Sequence, residues 1–173
     1  MPKNEVCLEV FKIPYELFQN TTLKKLSLTI DEFDLGHSET LEPNFLTKLT
    51  ELETLDLTGV RISAEIFANE ICRLTDLVNL TLMYANLSHI PDEIINLVNL
   101  KNLCLRGNRI DTLPPGFDKL SKLGSLNLID NEFKTIPNQL LQMNHLVDLN
   151  FRHNPLDIAS MNLMDDWGTV VKR

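Results

Sequence analysis

Cys104 and His153 are the one nucleophile–base pair that the side-chain inventory offers. A thiol activated by an imidazole would support nucleophilic catalysis, provided that the two come within ~3 Å. No oxyanion donor accompanies them. The four histidines, His37, His89, His145 and His153, lack metal-ligand spacing among themselves or with Cys7, Cys72 and Cys104. No glycine-rich run forms a phosphate cradle. Asp165-Asp166 reads as a solvated pair rather than as a general acid. These residues imply neither a metal nor a cofactor, and no enzyme. The chemistry that remains is contact: Tyr84, Arg106 and a few apolar side chains whose placement depends on the elements that carry them.

Those elements repeat. The pattern Leu-x-x-Leu-x-Leu-x-x-Asn-x-Leu recurs six times. The clearest copies are Leu100, Leu103, Leu105, Asn108, Ile110; Leu123, Leu126, Leu128, Asn131, Phe133; and Leu146, Leu149, Phe151, Asn154, Leu156. Their first leucines are 23 residues apart, a period that marks a solenoid. Three looser copies begin at Leu23, Leu52 and Leu77, spaced by 29, 25 and 23 residues to the next copy. The extra length follows the strand and should bulge on the convex side. Apolar spacing there predicts one or two short helices over 41–49 and 63–74, with Ser63 as an N-cap. Later copies carry Ile90-Pro91, Leu113-Pro114-Pro115 and Ile136-Pro137 instead. Proline suits short extended or 3₁₀ segments.

Leucines two apart point to one face of a strand, inward, and the residues between them point out. The Asn of each copy should sit in the turn, where its amide bonds neighbouring coils. Asp31 can imitate it; Val60 and Ala85 cannot, so the ladder should break there. Residues 1–22 read as an N-terminal cap, with Val6, Leu8 and Val10 alternating as a short strand. Residues 23–156 hold the six repeats. Residues 157–173 read as a C-terminal cap, in which Ile158, Met161, Leu163, Met164 and Trp167 cover the last coil.

This pattern resembles the leucine-rich repeat family, in its 23-residue form with Ile/Leu-Pro on the convex side. Asn154-Pro155-Leu156 is similar to the ending of a final repeat. The resemblance implies an α/β solenoid: a horseshoe with a parallel concave β-sheet and short helical, 3₁₀ or extended convex segments. It also implies a protein partner on the sheet. Cytoplasmic members include enzyme inhibitors, adaptors and bacterial effectors delivered into host cells. An acidic nuclear subgroup carries a long acidic tail, and this chain's ending, Gly168 to Arg173, departs from it. Ubiquitin ligases on such repeats need a separate catalytic domain, for which 173 residues leave no room.

Composition narrows the partner. Net charge is −8, with 13 acids against 6 bases in residues 1–70. An acidic, aromatic-poor chain argues against nucleic acid and anionic membrane, which recruit Lys and Arg. It favours a protein with a basic patch. Residues 1–20 hold no uninterrupted apolar run, so no secretory signal peptide is expected, and three scattered cysteines fit a reducing compartment. The expectation is a cytoplasmic monomer, or an effector reaching a host cytoplasm by a leaderless route.

The register then gives the candidate face. A central column runs Ser27, Asp56, Thr81, Cys104, Asn127, Asn150. The next runs Thr29, Thr58, Met83, Arg106, Ile129, Arg152, and beside it lie Tyr84, Asp130 and His153. Six strands span about 24 Å, wide enough for a folded partner. Met83, Tyr84 and Ile129 around Arg106 form an apolar and aromatic cluster, the composition of a binding hot spot. Asp130, Arg152 and His153 form its polar rim. Cys104 and His153 fall two strands apart, roughly 10 Å or more between backbones, too far for a bonded pair. The reading is a non-catalytic module that engages another protein and regulates or inhibits it. The alternative is an adaptor bridging two proteins through the convex insertions at 34–48 and 61–75.

Overall fold

Each coil exposes one apolar face that only the next coil can cover, and this need sets the architecture. The computed structural model describes residues 5–9, 21–30, 41 and 43–167, with the side chains of 5–9 and 164–167 outside that description. Seven strands follow one another in a parallel sheet in chain order. They are β1 (Glu5–Glu9), β2 (Lys25–Thr29), β3 (Thr54–Asp56), β4 (Asn79–Thr81), β5 (Asn102–Cys104), β6 (Ser125–Asn127) and β7 (Asp148–Asn150). The register is strict: Leu26, Leu55, Leu80, Leu103, Leu126 and Leu149 stand opposite one another across the sheet. All six are buried, and the core runs unbroken from Leu23 to Phe151. Phe133 and Phe151 close its far end with ring centroids 4.9 Å apart.

The sheet hydrogen bonding continues past the strands. Gly59, Tyr84, Gly107 and Asp130 each donate a backbone N–H to the next coil, to the carbonyls of Met83, Arg106, Ile129 and Arg152. The turn that follows is held by asparagine. The Asn108 Oδ1 accepts from the Leu87 N–H at 3.0 Å, and its Nδ2 donates to the Leu82 and Leu105 carbonyls at 2.8 Å. Asn131 does the same for Ile110, Leu105 and Leu128, and Asn154 for Phe133, Leu128 and Phe151. Val60 and Ala85 occupy the equivalent positions as plain core residues. There the backbone substitutes, with the Ile62 N–H bonded to the Ala85 carbonyl at 3.1 Å. Asp31 lies outside the described residues.

Of the two convex stretches with near-helical apolar spacing, one forms a helix. Over 63–74, Ser63 caps α1 (Ala64–Asn69) by accepting from the Ile66 N–H, and a 3₁₀ turn follows at Ile71–Arg73. Residues 43–49, however, form turns rather than a helix. Asn44 sits at φ 67, which no right-handed helix accommodates. The buried Glu70 carboxylate takes the N–H groups of Asn44 (2.6 Å) and Leu46 (2.9 Å), so the segment is pinned by a side chain 24–26 residues away. The proline-led coils carry 3₁₀ turns at Asp92–Asn96 and Phe117–Lys119, and a five-residue helix α2 (Asn138–Gln142).

Of the five side chains expected to cover the last coil, the three that are described do not cover it. α3 (Ile158–Trp167) is present, but Ile158, Met161 and Leu163 are 79%, 50% and 50% exposed. Among the described side chains of α3, Ser160 is the one that faces inward. Ser160 is buried, accepts from the Ile136 N–H at 3.3 Å, and donates its own N–H to Asp157 at 2.8 Å. With Ser160 inward, these three apolar side chains face away from the core. The expectation that the Trp167 side chain closes the core lies outside the described residues.

Asn131→Ala would strand the Ile110 N–H in the interior and remove one of the two amide donors to each of the Leu105 and Leu128 carbonyls, which keep Asn108 and Asn154. The expected loss is about 1–3 kcal/mol in urea unfolding. Asn102→Ala, on the exposed sheet face, should change stability by less than ~0.5 kcal/mol.

Candidate functional site

The outward residues of the sheet form straight columns because the register never slips. Ser27, Asp56, Thr81, Cys104, Asn127 and Asn150 are direct cross-strand neighbours, and all six are half-buried. Several of them spend hydrogen bonds locally. The Asp56 Oδ1 accepts from the Thr58 N–H (3.1 Å) and hydroxyl (2.7 Å), and the Asn127 Oδ1 accepts from the Ile129 N–H (3.1 Å). These are Asx turns that terminate the strand. The middle of the sheet is therefore preorganised and polar.

The neighbouring columns carry the bulk. Met83, Tyr84, Arg106 and Ile129 are half-buried, while Arg152 and His153 are exposed. None is packed into the core. The Tyr84 ring lies across Gly107: a Cβ at 107 would overlap the ring carbons. The Arg106 guanidinium stands 5.9 Å from the ring centroid, a cation–π distance. Its Nε donates to the Asp130 Oδ2 at 3.1 Å, and the other Asp130 oxygen bonds His153 Nδ1 at 2.8 Å. Tyr84, Arg106, Asp130 and His153 thus form one chain of contacts across four coils. The sequence register places these four on one face and Gly107 in the same column as Tyr84, but gives no sign that the Tyr84 ring rests on Gly107, where any side chain would displace it.

Backbone strain concentrates here. Gly59, Tyr84, Gly107, Asp130 and His153 occupy the same turn position, and all have positive φ, between 55 and 79. Glycine takes that conformation freely, and Asp and His are tolerated. Tyr pays the largest steric penalty.

The electrostatics fit a binding surface better than a reactive one. Burial pushes the Cys104 thiol up, and Asp56 adds to this, against the opposing Arg106 backbone N–H and guanidinium. Cys72 is driven up to about 12 by burial, with Glu93 contributing. A thiol held protonated is a poor nucleophile. His153 is engaged by Asp130, not by Cys104. Among the described residues, no group of His, Cys, Asp and Glu could hold a metal ion, and no helix is long and apolar enough to cross a membrane.

Burial would raise the Asp130 carboxyl, but the hydrogen bonds from His153 and Arg106 outweigh it and hold the group below the usual aspartate value. A depressed carboxylate adds stability that is present above its unfolded value and fades as pH falls through its folded one. An NMR titration of the Asp130 side chain should give a midpoint below that of an ordinary aspartate. His153→Ala should move the midpoint upward. Gly107→Ala should displace the Tyr84 ring and cost at least about 1 kcal/mol, because φ at 107 is +71. Urea unfolding and the Tyr84 ring resonances report the two effects.

Residues 44–169 match the family model described as "Leucine-rich repeat region". No curated protein matches the chain. Among solved structures, internalin C2 of Listeria monocytogenes is 25% identical with a TM-score of 0.64, over 84% of this chain and 59% of that one. A leucine-rich repeat protein of Leptospira interrogans is 24% identical with a TM-score of 0.55, over 85% of this chain and 47% of that one. The chain therefore spans roughly half of the length of these proteins. The second likeness speaks to the fold alone. With the repeat, the stacked leucines and the asparagine turns in place, the chain belongs to the leucine-rich repeat family.

Proposed function

We propose that the chain is a non-catalytic protein-binding module, taking its partner on the outward face of the sheet around Tyr84, Arg106, Asp130 and His153. The leucine-rich repeat fold is in general that of a protein–protein interaction module. The observation that carries this reading is the Tyr84 ring seated on Gly107 beside the Arg106–Asp130 pair, half-exposed and already ordered. Tyr and Arg held in fixed positions give large contact area at small entropic cost, which is how hot spots arise. Met83 and Ile129 flank them as apolar surface, and Arg152, Asn150 and Thr81 supply the polar surround.

A partner inserted against this face has that part of its surface covered. Where the partner is an enzyme, occlusion regulates it, and inhibition is the simplest form. The net charge of −8 favours a partner with a basic patch. The scattered cysteines favour a reducing compartment, the cytoplasm of the producing cell or of a host into which the chain is delivered.

The test is affinity capture with the purified chain, identification of the retained protein, and titration with variants. Tyr84→Ala and Arg106→Ala should each weaken the complex by roughly 30-fold, about 2 kcal/mol. Asn144→Ala, an exposed position on the opposite side, should leave it unchanged. Retention of the same partner at the same affinity by both site variants would overturn the assignment.

A further inference from the structure

The convex side carries an open trough of about 590 Å³. It crosses three successive coils at the 3₁₀ turns Ile71–Arg73, Asp92–Asn96 and Phe117–Lys119. The repeat aligns its lining. Arg73, Asn96 and Lys119 occupy one repeat position, each 23 residues from the next, and Cys72 and Ile95 occupy the position before it. The trough is therefore a product of the same register that orders the concave sheet, on the opposite surface.

Its lining combines apolar surface with positive charge. Cys72 is fully buried, Ile95 is half-buried against the core, and Val98 is 57% exposed, so apolar surface is open to solvent. The charged groups that line it, Arg73 and Lys119, are both positive, in a chain of net charge −8. Among the described residues neither has an ion-pair partner. Glu93 is felt by Cys72 but does not line the trough. Two unpaired cations at the ends of an apolar channel, with the Asn96 amide between them, complement a ligand with two separated carboxylates and an aliphatic centre.

We propose that this trough binds an extended acidic peptide segment of a second protein. Two coil steps separate Arg73 from Lys119, each at least ~5 Å. In an extended peptide, residues i, i+2 and i+4 share a face, and i to i+4 spans roughly 13 Å. That span accommodates acidic residues at i and i+4 with an aliphatic residue at i+2 on the same face. The open form suits a passing chain rather than an enclosed small molecule. With the concave face taking one partner, the trough makes the chain able to hold two.

The probe is a capped synthetic peptide with glutamate at positions 2 and 6, leucine at 4 and alanine elsewhere, added to the full ¹⁵N-labelled chain. The amides of Arg73, Asn96, Val98 and Lys119 should shift saturably, while those of Tyr84 and Arg106 stay in place. Replacing the glutamates by lysine, or the leucine by serine, should weaken binding at least tenfold. Arg73→Glu combined with Lys119→Glu should reverse the preference to the lysine peptide, which a misfolded variant could not do. No saturable shift, equal response to both charges, or shifts confined to the sheet would overturn the proposal. Equal shifts with octanoate alone would assign the trough to a free aliphatic carboxylate and overturn the peptide assignment. Loss of the concave partner leaves these readouts untouched, so the two readings fail separately.

Discussion

Each buried asparagine in the later coils holds two coils at once. Its Nδ2 reaches a leucine carbonyl of its own coil and one of the coil before, while its Oδ1 receives an N–H from that earlier coil. No other short side chain offers both donors and an acceptor at that reach. The groups it satisfies lie where the chain leaves the sheet, too buried for water to reach. Because the amide demands the same offset every time, Asn108, Asn131 and Asn154 lock coils to a 23-residue step. Where Val60 and Ala85 replace it, the steps are longer, and the convex segment grows into α1 and a 3₁₀ turn. Asparagine spacing and convex length are thus two faces of one constraint.

The leucine period made the sheet readable before any coordinates, because a parallel coil has one way to bury Leu-x-Leu. It also placed Tyr84, Arg106, Asp130 and His153 side by side, although they are 22 to 24 residues apart along the chain. What stayed illegible depends on contacts between coils rather than on period. The apolar spacing of 41–49 suggests a helix, yet Glu70 arrives from another coil and converts the segment to turns. The apolar residues of α3 suggest a lid; Ser160 faces inward and Ile158, Met161 and Leu163 stay exposed, while the Met164 and Trp167 side chains lie outside the described residues. In the 43–49 segment buried polar contacts outrank local hydrophobic spacing, because an unmet buried N–H costs about as much as an aliphatic side chain gains.

Gly107 shows the same limit at the candidate site. Its signal in the sequence was only a glycine in a turn, and Gly59 carries the same signal at the same repeat position. The difference lies in the neighbour. Beneath Gly59 a Cβ would meet the backbone oxygen of Ile30, whereas at Gly107 it would meet an aromatic ring. One glycine admits the chain; the other admits a side chain of the preceding coil.

That distinction bears on why Tyr84 is half-exposed at all. The turn position it occupies has a positive φ, and glycine fills it at residues 59 and 107 without steric cost. A tyrosine at φ 55 gives up stability on the order of 1 kcal/mol. Core packing does not recover this loss, since the ring rests on the sheet surface over Gly107. The Arg106 contact recovers some of it, and cation–π pairs at exposed sites contribute about 0.5–1 kcal/mol. The arrangement is close to neutral for folding and costly to assemble by accident, because it needs a strained tyrosine, an adjacent glycine and a tethered arginine together. The fold sets a positive φ at each copy of this turn; what it does not set is the choice of tyrosine there, and that choice is what the proposed binding role of the ring would account for.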